Sequence, residues 1–282
     1  MFNQLKTTLL LGLLTGVLIG AGYWLGGSSG AIIAFAISAA MNIGSYWFSH
    51  KIVLSMYNAK EIPKEENPRL HAMIENIAMS AQIPKPKLYL IDMPVPNAFA
   101  TGRNPKHAVV AVTSAIINLL DESELKGVLA HEISHVKNRD ILISSVAATI
   151  AGALSYIAQF AIFSGSFFGG SDEDGGNPFG AIVIMLLAPI VATLLHMAVS
   201  RSREYLADET GAHLIGDPRG LASALQKLED FGRNAKLQGD PKHQATAHMF
   251  IINPFKASVL MSLFSTHPPT AERIKRLTGS VK

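Results

Sequence analysis

D-E-S-E-L-K-G-V-L-A-H-E-I-S-H-V-K-N-R-D, from Asp121 to Asp140, is the stretch on which the fold and the chemistry both turn. It predicts a helix. Asp121 is a suitable N-cap, and Glu124 stands three residues on, the spacing of a capping box. Leu125, Val128, Leu129, Ile133 and Val136 recur at helical spacing, and no Gly or Pro follows Gly127. Positions four apart share a helix face. His131 and His135 therefore project side by side, placed to bind one metal ion. Glu132 follows the first of them and can reach a water held by that metal. This is the H-E-x-x-H arrangement of zinc hydrolysis: two ligands and a general base on one rigid rod.

Composition points to a membrane. Of 282 residues, 49% are hydrophobic and only 16% charged, against about 25% charged in an ordinary soluble domain. The mean hydropathy is +0.27, which indicates the membrane class. The net charge is +3 and the basic residues are scattered rather than blocked, so no nucleic-acid partner is implied. No G-x-x-x-x-G-K-[ST] loop is present, so no nucleotide is expected either. The absence of cysteine excludes disulfides, thiolate zinc sites and cysteine nucleophiles.

Working outward, the chain divides into four parts. Residues 1–48 read as a transmembrane hairpin. Thr8 to Leu25 and Ala31 to Phe48 are spans, joined by the turn Gly26-Gly27-Ser28-Ser29-Gly30. Tyr23 and Trp24 close the first span, and Tyr46 and Trp47 the second, where aromatic belts are expected. A cleaved signal peptide is the alternative for the first span. Lys51, Lys60, Lys64 and Arg69 follow the hairpin, which places the next segment in the cytoplasm.

Residues 49–140 form the first cytoplasmic catalytic part. A helix over Asn67 to Ile83 starts with an Asn cap and Pro68, and Leu70, Met73, Ile74, Ile77 and Ala78 share its apolar side. Leu88 to Ile91 and Ala108 to Thr113 read as strands of a small sheet backing the active-site helix, with Asn97 to Gly102 as a strand edge or turn. Residues 141–200 form a second hairpin, with spans Ile141 to Phe163 and Ala181 to Ser200. Its Gly-rich loop 164–180 carries Asp172, Glu173 and Asp174 and no basic residue, as a non-cytoplasmic loop should. Residues 201–282 form the second cytoplasmic part: helices over Arg201 to Leu214 and Arg219 to Phe231, a polar lid loop from Gly232 to Asn253, an apolar core segment over Ala257 to Phe264, and a helix from about Pro269 to Leu277. The expected fold class is an α-helical membrane protein with four transmembrane helices and a cytoplasmic α+β zincin-like metalloprotease domain.

A catalytic zinc takes three protein ligands and keeps one position open. The candidate third ligand is Glu204, in E-Y-L-A-D. Asp208 lies four residues on, on the same helix face, where it can accept a hydrogen bond from a ligand histidine and fix its tautomer. Two spans separate His135 from Glu204, so both halves of the site lie on one membrane side. His131 is about 15 Å along a helix from the third span and Glu204 about 6 Å past the fourth. The metal therefore belongs just beneath the membrane surface, which favours membrane-embedded or membrane-adjacent substrates.

H-E-I-S-H, an apolar hairpin, E-Y-L-A-D and a late H-P-P-T-A-E-R-I (267–274) together resemble the integral-membrane zinc peptidases of the HtpX type, relatives of the CAAX prenyl endopeptidases. The resemblance covers the whole chain, including its four-span layout. It implies an endopeptidase of the bacterial inner membrane that degrades misfolded membrane proteins as part of the stress response. It also implies that Asn97 lies on the edge that holds the substrate backbone, and that His267 and Arg273 approach the scissile carbonyl. His267 just precedes a helix and Arg273 lies about one turn into it; the plainer alternative is that His267 caps that helix and Arg273 pairs with a surface carboxylate.

The residues thus read as a zinc endopeptidase. His131, His135 and Glu204 hold one Zn²⁺ per chain, Glu132 is the base, and the partners are the lipid bilayer and unfolded or membrane-protein substrates. A metal transporter or sensor without peptidase activity is the rival, but it needs ionisable residues within its spans, and only His196 qualifies. A structural zinc site is the other rival, and it has no use for Glu132.

The charge pattern places both termini in the cytoplasm. Because the chain lacks cysteine, single cysteines at Ser28, Ser166, Lys60 and Lys242 report topology on a clean background. An impermeant thiol reagent applied to intact cells is expected to label the first two only. Labelling at Lys242 would show that residues 141–200 do not form a hairpin.

Overall fold

The computed structural model describes residues 2–150, 201–234, 250–251 and 268–279. The third span beyond Ile150, the acidic loop, the fourth span with His196, most of the lid loop with His243 and His248, the apolar segment 257–264 and His267 lie outside the described residues.

The chain opens with α1 (Phe2–Met56), a helical run broken at Gly26 and Gly27, where φ turns to −145° and +58°. Only glycine takes the second of these values without strain. The break folds α1 back on itself. Asn42 Nδ2 donates to Thr15 Oγ1 at 2.8 Å, although 27 residues of straight helix would hold them about 40 Å apart. Gly22 and Gly30 meet so closely that a Cβ on Gly22 would lie 2.5 Å from the Gly30 carbonyl oxygen. The turn is tighter than the five residues read from sequence, because Ser28 to Gly30 are already helical. The second arm of α1, Gly26–Met56, has 31 residues and is long and apolar enough to cross a membrane, with mean hydropathy 1.5 over its most apolar 18-residue window.

A four-stranded sheet follows, in order β1-β2-β4-β3. Its strands are β1 (Lys60–Glu61), β2 (Lys87–Ile91), β3 (Ala98–Gly102) and β4 (Ala108–Thr113). β2 pairs with β4 in parallel, and β3 pairs with β4 antiparallel. Among the described strands β3 therefore lies at the edge, the strand-edge alternative for Asn97 to Gly102. Strand side chains alternate between faces. Leu88, Ala98, Ala100, Val110 and Val112 join the core shared with the helices. Ile91, Phe99, Val109 and Ala111 face the other way, onto Val53, Leu54 and Tyr57 at the end of α1 and onto Phe250. The sheet thus lies between the end of the hairpin and the helical layer.

That layer is built around α4 (Glu122–Lys137). α2 (Pro68–Ala81) packs on it, with Asn67 Oδ1 capping the Leu70 N–H and the expected apolar side turned inward. Further on, α3 (Ser114–Leu119) is a short helix, and α5 (Ile141–Ile150) begins the segment read as the third span. α6 (Arg201–Ile215) and α7 (Pro218–Asn234) pack on α4, and α8 (Thr270–Gly279) packs on α7 and α6. β1 and α3 had no signal in the sequence.

Two devices fix α4. The capping box forms as expected: Glu124 N–H donates to Asp121 Oδ1, and Asp121 N–H donates to Glu124 Oε2, both at 2.9 Å. Glu124 is buried and also accepts from Ser223 Oγ at 2.6 Å and Lys227 Nζ at 2.7 Å, so the cap doubles as the docking point of α7. The second device is close approach. A Cβ on Gly127 would lie 2.5 Å from Leu221 N, and one on Gly220 would lie 2.4 Å from Ser123 O. Backbone meets backbone where α4 crosses α7.

Gly127→Ala is therefore expected to destabilise the protein by about 1–3 kcal/mol through overpacking, since neither backbone can give way. Gly44→Ala has open space around its Cβ and is expected to be neutral or stabilising through helix propensity. Thermal melting of the detergent-solubilised variants checks both.

Candidate metal centre

The α4 helix presents His131 and His135 edge to face, with ring centroids 4.7 Å apart. Their Nε2 atoms lie 3.2 Å from each other. α6 brings Glu204 against both: Oε2 is 3.6 Å from His131 Nε2, and Oε1 is 3.6 Å from His135 Nε2. One donor atom from each of the three residues falls within 4.8 Å of the others. Gly211 permits the approach of α6, because a Cβ there would lie 3.0 Å from His131 N.

Each ring is held from behind by a carboxylate. Asp208 Oδ1 lies 2.9 Å from His131 Nδ1, and Asp140 Oδ2 lies 3.3 Å from His135 Nδ1. A carboxylate accepts, so these contacts assign the ring protons to Nδ1. Both Nε2 atoms are then lone pairs, aimed at one another and at a third acceptor. Acceptors at 3.2–3.6 Å repel unless a cation sits among them. For donors about 2.0–2.1 Å from a tetrahedral zinc, separations near 3.3–3.4 Å are expected. The donor set therefore fits Zn²⁺.

The electrostatics agree. Burial works against a charge on His131, but the Asp208 and Glu204 carboxylates outweigh it and raise the affinity of the ring for positive charge. Burial would likewise push Asp208 up, yet the Arg273 guanidinium and His131 hold it below the usual carboxylate range. Glu132 is buried beside the histidines. Its pKa is raised, chiefly by burial and further by Glu204, against the pull of the two histidines. Its Oε2 accepts the Ala100 N–H of β3 at 2.9 Å, which points the carboxylate along the edge strand.

The other sequence candidates fall as follows. Arg273 is buried in α8 and clamps Asp208 with two donors, Nε to Oδ2 at 2.8 Å and Nη2 to Oδ1 at 2.6 Å. Its Nη1 faces Glu204 Oε2 at 3.9 Å. Its partner is thus a buried carboxylate at the centre, not a surface one. Asn97 is buried at the start of β3, and its Oδ1 accepts the Ile251 N–H at 3.1 Å. It tethers the end of the lid loop to the sheet edge.

Asp140, which the sequence marks only as the end of the helix, is a further residue of the centre. The signal was the helix stop itself. Arg139 N–H donates to Val136 O, and Asp140 N–H donates to His135 O, the two bonds of a Schellman turn. Arg139 takes the left-handed conformation, φ +59°, and the turn swings Asp140 back onto the histidine five residues earlier.

Losing such an orienting carboxylate typically costs about 10–100-fold in metal affinity. Asp140→Ala is expected to weaken Zn²⁺ binding by at least about ten-fold. Asp140→Asn, which keeps an acceptor for the ring N–H, should lose less. Competition with a chelator of known affinity measures this, and an unchanged dissociation constant in folded Asp140→Ala would remove Asp140 from the centre.

Comparison with known proteins follows the same lines. Residues 64–281 match peptidase family M48. A protease HtpX homolog of Sulfurihydrogenibium sp. (strain YO3AOP1) is 54% identical over 284 residues, covering 98% of this chain and 96% of that protein. Those of Persephonella marina and Pyrococcus furiosus are 56% and 55% identical, covering 98% and 96% of this chain and 96% and 94% of theirs. Among solved structures, S. mikatae Ste24p aligns over 98% of this chain and 65% of its own length, at 19% identity and a TM-score of 0.49. With the family matched over residues 64–281 and relatives above half identity along nearly the whole chain, the protein belongs to peptidase family M48 and is a metalloprotease.

Proposed function

We propose that the protein is a membrane-embedded, zinc-dependent endopeptidase that cuts misfolded or damaged membrane proteins at the cytoplasmic face of a bacterial inner membrane, in four-span form with both termini inside. The reading rests on one observation above the others. Two histidine lone pairs and a glutamate converge, and a buried carboxylate stands on the next residue of the same helix. The membrane part rests on α1. Ile32, Ile33, Phe35, Ile37 and Ile43 of its second arm are all more than half exposed, a surface that water does not favour and lipid does.

In this reading His131, His135 and Glu204 hold the zinc. Bound there, zinc supplies Lewis acidity and a water of lowered pKa. Glu132 takes a proton from the attacking water and returns it to the leaving amine. Burial favours the protonated form of Glu132, so the residue gives up its proton readily only when positive charge is near. Asp208 and Asp140 hold the two rings in the ligating tautomer, and Arg273 positions Asp208. His267 is kept as the proposed donor to the oxyanion.

β3 supplies the substrate rail. Thr113 N–H donates to Asn97 O, which sets the parity of the β3–β4 ladder. Backbone groups of Ala98, Ala100 and Gly102 then face away from β4. The Ala100 N–H is taken by Glu132 and the Gly102 N–H by Ser145 Oγ at 3.1 Å. Among the described residues nothing takes the groups of Ala98 or the carbonyl of Ala100, which lie on the edge beside the base, where an extended polypeptide can add as a strand. Asn97 serves this edge by fixing its start.

Glu132→Gln deletes the base and keeps all three ligands. It is expected to retain one zinc per chain by elemental analysis and to lose cleavage of an unfolded membrane protein by at least about a hundred-fold. Chelation of the wild type should abolish cleavage, and added zinc should restore it. Robust activity of Glu132→Gln, or wild type purified without metal, would end this reading.

A further inference from the structure

Where the apolar arm of α1 ends, the described surface becomes aromatic and positive. Tyr46, Trp47 and Phe48 are exposed there, at 38%, 48% and 51%. Lys51 Nζ lies 5.8 Å over the Phe48 ring. The connection between β3 and β4 reaches the same spot and sets the Arg103 guanidinium 4.2 Å over the Trp47 ring. This loop is built, not loose. Asn104 Oδ1 accepts from the His107 N–H and faces His107 Nδ1 at 2.9 Å. His107 Nε2 is then the acceptor for Arg103 Nη2, also at 2.9 Å. Asn104 thereby aims the guanidinium through the imidazole. Gly102, at φ +141° with the His107 carbonyl where a Cβ would sit, allows the tight return.

The charges gathered here have one sign. Lys51 and Arg103 both act on His50, on the same turn of α1, and Lys106 is exposed beside them. Among the described residues no carboxylate pairs with Lys51, Arg103 or Lys106. Grouped cations without counter-charge repel, and aromatic rings mark the depth of lipid headgroups.

We propose that this cluster binds the headgroup of an anionic phospholipid, with Arg103 and Lys51 on the phosphate and Trp47 against the glycerol and upper acyl chain. Because Arg103 directly follows β3, the bound lipid fixes the edge strand, and with it the metal centre, at a set depth below the bilayer. The proposal rests on the reading of α1 as membrane-embedded.

Native mass spectrometry of the full-length protein in detergent tests it. Phosphatidylglycerol and phosphatidylcholine of identical acyl chains are titrated separately, with inorganic phosphate as competitor. The wild type is expected to retain one phosphatidylglycerol in preference to phosphatidylcholine, and Arg103→Ala/Lys51→Ala to bind it roughly thirty-fold more weakly, about five-fold for each basic residue. Lys64→Ala/Arg69→Ala, which removes two charges elsewhere in the same part of the chain, should bind as wild type. Equal retention of both lipids, or full retention by Arg103→Ala/Lys51→Ala, overturns the proposal. Displacement by millimolar phosphate also overturns it, in favour of a free-phosphate site. Recovery of the protein from the soluble fraction without detergent would overturn the membrane reading and this proposal together.

Discussion

Two imidazole lone pairs aimed at each other across 3.2 Å repel unless a cation lies between them. Much of the described fold works to hold that arrangement. The histidines are on one helix, so their spacing is set by the helix and not by a loop. The rings are then locked from outside, His131 by Asp208 and His135 by Asp140, so neither can turn its proton inward to relieve the repulsion. Glu204 adds a third acceptor. Four carboxylates, counting Glu132, surround two imidazoles, with Arg273 and Arg203 as the buried cations among the described residues. The carboxylates outnumber these two arginines, which suits a divalent metal and agrees with the positive charge favoured on His131.

The helix that carries this centre is fixed more firmly than its own sequence requires. An isolated helix of its length is marginal in water. Here the N-terminal cap is buried and shared with α7, glycines bring α6 and α7 to backbone contact, and the C-terminal turn is used to place Asp140. Each end of α4 thus does something for another element. A displacement of α4 by 1 Å would be felt at both histidines at once, because α6, which brings Glu204 and Asp208, is seated on α4 through Gly211.

The sequence carried local information well and tertiary information in part. The capping box, the Asn67 cap, the two main strands and the helix start at Pro218 were legible because each depends on residues within one turn or one strand. The pairing of Glu204 with the histidines was legible only through a count of spans and a resemblance to a known family. Asp140 was not read as a site residue, although its placement is local, because a left-handed Arg139 is not what the eye expects where glycine usually stands. Arg273 was read as a donor facing the substrate. Its place on Asp208 depends on the docking of α8, which no local pattern encodes. The short strand β1 owes its existence to its neighbour β2, not to its own two residues.

The docking of α8 has a consequence for when the site can exist. Asp208 is buried, and a carboxylate in that position without Arg273 would carry a desolvation penalty of several kcal/mol. Arg273 comes from the last helix described, 142 residues after His131. The His131 ring therefore gains its orienting carboxylate in a stable form only once the C-terminal helix has packed on α6 and α7. In the proposed topology, both hairpins precede that event in the chain. The metal site is complete only when α8 has docked on α6 and α7. The buried Arg273–Asp208 pair is a poor investment as a source of stability alone, since apolar residues of similar volume would often do as well. Its value lies in linking the docking of α8 to the tautomer of His131.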